Sequence, residues 1–115
     1  MTKKENGQFI GHWEELILLT AATLSRRNKL AYGASIAREI TRSTSRRANV
    51  GSISQTIARL QLKGLVRTEL DYINSHRGAR IRLVRVLPAG RKALRLCRQR
   101  HQDILDLWAT ISRSG

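Results

Sequence analysis

Apolar residues in the first half of the chain recur at helical spacing in three segments. The run from Trp13 to about Ser25 is apolar on most sides, which is typical of a central helix buried among its neighbours. A second helix is predicted from about Gly33 to Arg42, with a narrow apolar face. A third helix is predicted to follow Asn49, a suitable N-cap, and to end near Lys63 with Gly64 as its C-cap.

The pattern of apolar residues changes after the third helix. Apolar and polar residues alternate from Val66 to Tyr72, which predicts a half-buried strand. Residues 74–80 form a predicted turn, and the β-branched run from Ile81 to Leu87 predicts the returning strand of a hairpin. Pro88 suits the first turn of a last helix of roughly 24 residues. This order predicts a mainly α fold with a small β-hairpin, a winged helix-turn-helix.

The charge of the chain indicates a polyanionic partner. The 115 residues contain 22 Lys and Arg but 8 Asp and Glu, which gives a formal net charge of +14. Because 41% of the residues are hydrophobic, we expect the chain to fold and to carry this charge on its surface. Nucleic acid and an anionic surface would both suit such a field. A membrane span is excluded, because the longest apolar run, Leu16 to Leu24, is about half the length that a span needs.

The sequence offers no evident cofactor, metal or catalytic site. Its single cysteine, Cys97, cannot form an internal disulfide, which favours a reducing, cytoplasmic compartment. Cys97 and His101 lie four residues apart, but zinc needs three or four protein ligands, and His12 and His76 lie on distant segments. No nucleophile elbow, phosphate loop or dinucleotide fingerprint is present, so we expect no enzymatic activity.

The third predicted helix carries the strongest candidate site. Its outer face is slim, polar and basic, so it could approach the floor of the DNA major groove. Gln55 and Arg59 are predicted to read bases, whereas Ser52 and Ser54 lie near the helix start and suit phosphates. A merely solvated helix face is the alternative. The candidate DNA-binding residues of this helix are Ser52, Ser54, Gln55, Arg59 and Lys63.

The hairpin and one loop supply further candidate contacts. Between Tyr72 and Gln102 the sequence has nine Lys or Arg and no Asp or Glu, which favours the wing as a phosphate contact over an ordinary solvated turn. Two arginines just before the third helix could clamp the DNA backbone beside it. The candidates in the wing and loop are His76, Arg77, Arg80, Arg46 and Arg47.

The last predicted helix has a heptad seam. Apolar and mixed residues recur at spacings of 3, 4, 3, 4 and 3, which predicts a dimer formed through this helix. Leu105 and Leu107 either widen the seam or pack back on Trp13; a helix folded entirely onto its own domain is the alternative. The predicted dimer interface consists of Leu94, Cys97, His101, Ile104, Trp108 and Ile111.

These features together predict one domain in three parts. Residues 1–10 form a flexible N-terminal arm, residues 11–87 a winged-helix DNA-binding region, and residues 88–115 a dimerisation helix. The expected partners are double-stranded DNA and a second copy of the chain. Two alternatives stay open: an architectural or RNA-binding basic protein without base reading, and an adaptor that binds another protein through its last helix.

Four stretches of the sequence form a recognisable set: WEELILL at 13–19, AYGASIAREI at 31–40, VGSISQTIARLQLKGLV at 50–66 and LPAGRKAL at 87–94. With them the chain resembles the PadR-like winged-helix transcription regulators, from about His12 to Leu96. Tyr32-Gly33 matches the opening of the family's second helix, and Lys63-Gly64-Leu65 matches the exit of its recognition helix, where Gly51, Ser52, Arg59 and Leu60 also match.

The resemblance implies a dimeric repressor whose third helix enters the major groove and whose last helix dimerises. It also implies a small aromatic effector between the dimer helices, at a site that Trp108 would line. The chain departs from the family pattern at two places. Ser54-Gln55 replaces Tyr-Pro or Tyr-Thr, and Leu83 with Val84 replaces paired tyrosines, so operator preference and wing packing are expected to differ.

Overall fold

The computed structural model describes residues 10–73 and 79–114. Three helices precede a two-stranded antiparallel hairpin, and a long helix follows it. Within the described residues, no helix has both the length and the apolar character that crossing a bilayer requires. The elements are α1 (His12–Arg26), α2 (Gly33–Ser43), α3 (Val50–Leu62), β1 (Val66–Ile73), β2 (Ala79–Val86) and α4 (Pro88–Ser114).

Helix α1 is central, as its apolar pattern predicts. Ile17, Leu18 and Ala21 are buried on it and join a single core cluster. The segment ahead of α1 differs from the prediction at Ile10, which belongs to this core and is not part of a free arm. Burial of the Ile10 side chain removes apolar surface from water and so stabilises the fold. Ile10 is therefore part of the folded domain.

Helices α2 and α3 pack beside α1 because each presents an apolar face inward. Ile36 and Ile40 are buried on α2, and Ile53 and Leu60 are buried on α3. After α3 the chain turns at Gly64, whose φ of +78° suits glycine, and the amide of the next residue donates to the carbonyl of Leu60 at 3.0 Å. This turn leads the chain directly from α3 into the hairpin.

The hairpin is joined to the helices through β2. Val66 pairs with Val86 at its base, and the Val84 amide donates to the Ala31 carbonyl at 2.8 Å, which ties β2 to the loop before α2. Strand β2 begins at Ala79, whereas the sequence pattern placed its start at Ile81. The difference arises because backbone pairing with β1 continues beyond the β-branched run.

Helix α4 starts at Pro88, as predicted, and its first turns lie tightly against the body. A Cβ at Gly90 would overlap the backbone carbonyl oxygen of Leu65, so only glycine permits this approach. The Leu87 amide donates to the same Leu65 oxygen at 2.9 Å. Ala93 and Cys97 then lie in the core, which anchors the first half of α4 to its own chain.

Candidate nucleic-acid interface

The outer face of α3 is exposed along its whole length. Asn49 caps the helix, its side-chain oxygen accepting from the Ser52 amide at 3.1 Å. The inner face is buried and includes Thr56, whose hydroxyl donates to the carbonyl of Ser52 at 3.0 Å. Four of the predicted DNA-binding residues therefore lie on one exposed surface: Ser52, Ser54, Gln55 and Arg59.

Arg59 has a defined orientation on this surface. Its Nη2 donates to the Thr56 hydroxyl at 3.1 Å, and its Nε lies 3.6 Å from Oε2 of Glu14. The side chain nevertheless keeps 54% of its surface exposed. Gln55, one turn earlier, is exposed on the same face. A guanidinium and a carboxamide held side by side can donate to and accept from base edges in a major groove.

Lys63 occupies a different position from that expected of a groove residue. It is the C-cap of α3, and its Nζ donates to both oxygens of the Glu14 carboxylate, at 2.9 and 3.1 Å. About two thirds of its side-chain surface is covered, as an exposure of 31% shows. Lys63 therefore binds α1 from within the same chain, a contact that the sequence pattern did not reveal.

Glu14 is the carboxylate around which these cations gather. Its Oε1 also accepts from the Gly11 amide at 3.0 Å, and only 10% of its side chain is exposed. Burial pushes its pKa upward, but hydrogen bonds from Lys63 and Gly11 and the charges of Lys63 and Arg59 outweigh burial, so the pKa lies below its ordinary value. Glu14 is thus ionised at neutral pH and pairs with two cations of α3 and its C-cap.

A groove of about 550 Å³ separates α3 from the hairpin. On the hairpin side Arg82 donates from Nη1 to the Thr68 hydroxyl at 3.4 Å, and that hydroxyl donates to Oε1 of Gln61 at 3.1 Å. Arg80, a predicted site residue, lies on the same strand and lines the same groove. Arg82 was missed by the sequence analysis, although its position two residues from Arg80 places both on one side of β2.

The remaining predicted contacts lie at the tip of the hairpin and in the basic loop before α3. His76 and Arg77 lie outside the described residues. In the loop, the guanidinium of Arg46 lies 5.2 Å from the centre of the Trp13 ring, a cation–π contact. Arg47 is exposed. The contact with Trp13 fixes part of the loop against α1, and no spacing in the sequence would have revealed it.

The predicted dimer seam is divided between two environments. Cys97 is 1% exposed, so the prediction that it contacts a partner is wrong: small side chains at positions 93 and 97 let α4 approach its own body closely. Leu94 is partly buried against the core, and Nε2 of His101 lies 2.6 Å from Oε2 of Glu15 on α1.

Beyond His101 the apolar residues of α4 are uncovered in the single chain. Trp108, for example, is 62% exposed. Leu105 and Leu107 are exposed too, so they do not pack back on Trp13. We call Ile104, Trp108 and Ile111 the distal stripe, because they lie on the helical face that Cys97 occupies nearer the body. No three His, Cys, Asp or Glu side chains within residues 10–73 and 79–114 are grouped to hold a metal ion.

The geometry defines a winged helix-turn-helix protein, and comparison with solved structures confirms this fold. A PadR family transcription regulator from hypervirulent Clostridium difficile superimposes with a TM-score of 0.71 at 19% sequence identity, covering 88% of this chain and 98% of that one. A PadR family transcriptional regulator from Eggerthella lenta gives 0.64 at 18% identity, covering 84% and 83%.

The hsRosR-S4 complex structure gives a TM-score of 0.57 at 19% identity, covering 96% of this chain and 79% of that chain. No protein-family model matches the sequence. The search of curated proteins found no match either. The fold that the sequence resemblance implies is therefore the fold of the chain, and at these identities the likeness extends to the fold alone.

Proposed function

We propose that the protein is a homodimeric, sequence-specific DNA-binding transcription regulator. The observation that carries this proposal is the exposed face of α3, where Gln55 and Arg59 lie one turn apart. Ser54 and Ala58 of the same helix border a groove that hairpin arginines also line. In this proposal α3 enters the major groove and the wing contacts the DNA backbone. Repression, rather than activation, follows from the sequence resemblance.

The shape of α3 supports entry into a groove. Ser52, Ser54 and Ala58 are exposed and small, so the helix backbone can come close to base edges. Arg80 and Arg82 line the hairpin side of the groove, opposite α3, where their charges can neutralise DNA phosphates. The net charge of +14 supplies the long-range attraction that brings DNA to this surface.

The distal stripe supports the dimer. A large exposed apolar stripe on a long helix marks an interaction surface, and a second copy of α4 is its simplest complement. A two-fold pair of α3 helices would match an inverted repeat in DNA. A small aromatic effector bound near Trp108, and a cytoplasmic location, belong to the same proposal and rest on the sequence resemblance and the single cysteine.

Selection of bound duplexes from a random pool at about 150 mM salt tests the proposal, because nonspecific cation binding is partly suppressed there. We expect an enriched inverted repeat. Arg59→Ala is expected to cost about 1–3 kcal/mol on that repeat and to relax preference at one base pair, whereas Arg77→Ala should weaken all sequences alike. Binding without enrichment, with equal losses for both variants, would instead favour an architectural or RNA-binding protein.

A further inference from the structure

The contact between Glu14 and Arg59 of α3 places a negative charge beside the proposed DNA-binding face. In a chain with net charge +14, a carboxylate close to a phosphate-binding face weakens the general attraction to nucleic acid. Glu14 nevertheless lies there, 3.6 Å from the Nε of Arg59. The hydrogen bond from the Gly11 amide explains why a carboxylate begins α1, but it does not explain the contact with Arg59.

Glu14 cannot easily turn away from Arg59. The Gly11 amide and the Lys63 ammonium both donate to Oε1, at 3.0 and 2.9 Å, and Lys63 also reaches Oε2 at 3.1 Å. With one oxygen bound twice and the side chain mostly buried, the carboxylate is fixed before any ligand arrives. It therefore presents Oε2 to Arg59 as a stationary charge.

Arg59 is in turn held at two points. Its Nε edge faces Glu14, and its Nη2 donates to the hydroxyl of Thr56, which is 1% exposed and bonded to the Ser52 carbonyl. Nη1 has no hydrogen-bond partner among the described residues. Two contacts on one side of a planar group set the direction of its other side, so the free edge is aimed outward from α3.

We infer that Glu14 is a positioning residue for base recognition: it holds the guanidinium of Arg59 in one orientation so that its free edge can meet a base. The inference rests on the proposed function. Arginine is long and rotamer-rich, and fixing such a side chain in advance removes an entropic cost of binding. Glu14 thus lowers the affinity for nucleic acid in general and raises the discrimination between base pairs.

The test compares Glu14→Gln with wild type on the selected repeat, on a duplex changed at the base pair that Arg59 reads, and on random duplex. Gln can still accept from the Gly11 amide, but it loses the charge that holds Arg59. We expect discrimination between the two specific duplexes to fall roughly 2- to 12-fold. Affinity for random duplex should be unchanged or higher, because one negative charge is removed.

Glu39→Gln is the matched control. Glu39 on α2 pairs with Arg42 and Arg27 and not with Arg59, so this variant makes the same change of charge at a different ion pair. It should leave discrimination unchanged.

Arg59→Ala decides between the possible outcomes. If it abolishes discrimination and Glu14→Gln adds nothing in that background, the two residues act as a unit, as we infer. If Arg59→Ala lowers discrimination but Glu14→Gln does not, the positioning role is wrong and the proposed function stands. If Arg59→Ala leaves discrimination unchanged, Arg59 does not read a base and the positioning role is wrong. The proposed function itself is overturned only if no repeat is enriched and wild type binds all three duplexes equally.

A folding defect in Glu14→Gln does not block the test. Glu14→Asp keeps the buried charge beside Lys63 but shortens the side chain, so it withdraws from Arg59. Its discrimination is expected to fall in the same direction at unchanged charge. A merely structural role would instead lower affinity for all three duplexes in proportion to the loss of folded protein, which thermal unfolding monitors independently.

Discussion

The two halves of α4 present one helical face to two different surroundings. In the first half, Ala93 and Cys97 are buried in the core of their own chain. In the second half, Ile104 and Trp108 continue the same face into solvent. Heptad spacing thus indicates a continuous apolar face, but it does not say whether the chain itself or a partner covers each part of it.

The difference between the halves comes from side-chain size and backbone approach. Gly90, Ala93 and Cys97 are small, so α4 can lie close to the body over its first three turns. Further along, the large side chains of the distal stripe are exposed, and no helix within residues 10–73 and 79–114 covers them. The first half is therefore part of the folding unit, and the second half is available for assembly.

The largest effect is expected from Trp108→Glu in the exposed half. A charge at the centre of the proposed dimer interface would be desolvated beside its two-fold copy, so the dimer should dissociate. Loss of a central aromatic anchor costs about 2–4 kcal/mol of association, and binding to an inverted repeat should weaken accordingly. Sedimentation analysis measures the first effect and a duplex titration the second.

Leu30→Glu is the control for that variant. Leu30 is also half exposed but lies before α2, so the same chemical change should leave the oligomeric state intact. A wild-type chain that sediments as a monomer at all concentrations would contradict the dimer and leave the distal stripe to another protein.

A smaller effect is expected from Gly90→Ala in the anchored half. The added methyl group would overlap the Leu65 carbonyl oxygen, so the free energy of unfolding should fall by about 1–3 kcal/mol. Gly11→Ala is the comparison, since nothing lies within 4 Å of a Cβ there. Denaturant titration measures both. Equal stability of the two variants would mean that α4 is not held closely at Gly90.

The smallest effect of Trp108→Glu is expected on the alkylation of Cys97, whose rate should be the same as in wild type. Burial raises the pKa of the Cys97 thiol, and with its burial in the core this should make native protein react slowly at neutral pH. If its own chain protects Cys97, Trp108→Glu should react as slowly as wild type although it is monomeric. Rapid labelling of that variant alone would show that a partner chain covers Cys97.

Much of the fold could be predicted because local patterns agree with burial. The periodic residues Ile53, Ile57 and Leu60 are all buried, and Pro88 begins the last helix. Ile10 could not be predicted as a core residue, because the apolar pair Phe9-Ile10 is too short to show a helical or strand period. The early start of β2 at Ala79 depends on pairing with β1, which an isolated strand pattern does not contain.

The candidate site could be predicted only as a surface. The exposed positions of α3 follow from its helical period, and the structure has Gln55 and Arg59 exposed as expected. The contact between Lys63 and Glu14 joins residues 49 positions apart, so no local spacing reveals it. The same holds for Arg46 above Trp13. Long-range pairing of charges and rings depends on tertiary packing.

The close approach at Gly90 also makes α4 a lever. Leu65, three residues after the end of α3, meets both the Leu87 amide and Gly90 through its carbonyl oxygen. The part of α4 beyond this fulcrum, from Gly90 to Ser114, is about 36 Å long at 1.5 Å per residue. A tilt of about 5° at the fulcrum moves its far end by about 3 Å over that length. In a pair of chains joined through the distal stripe, the packing of a few atoms at Leu65 would therefore set the distance between the two α3 helices.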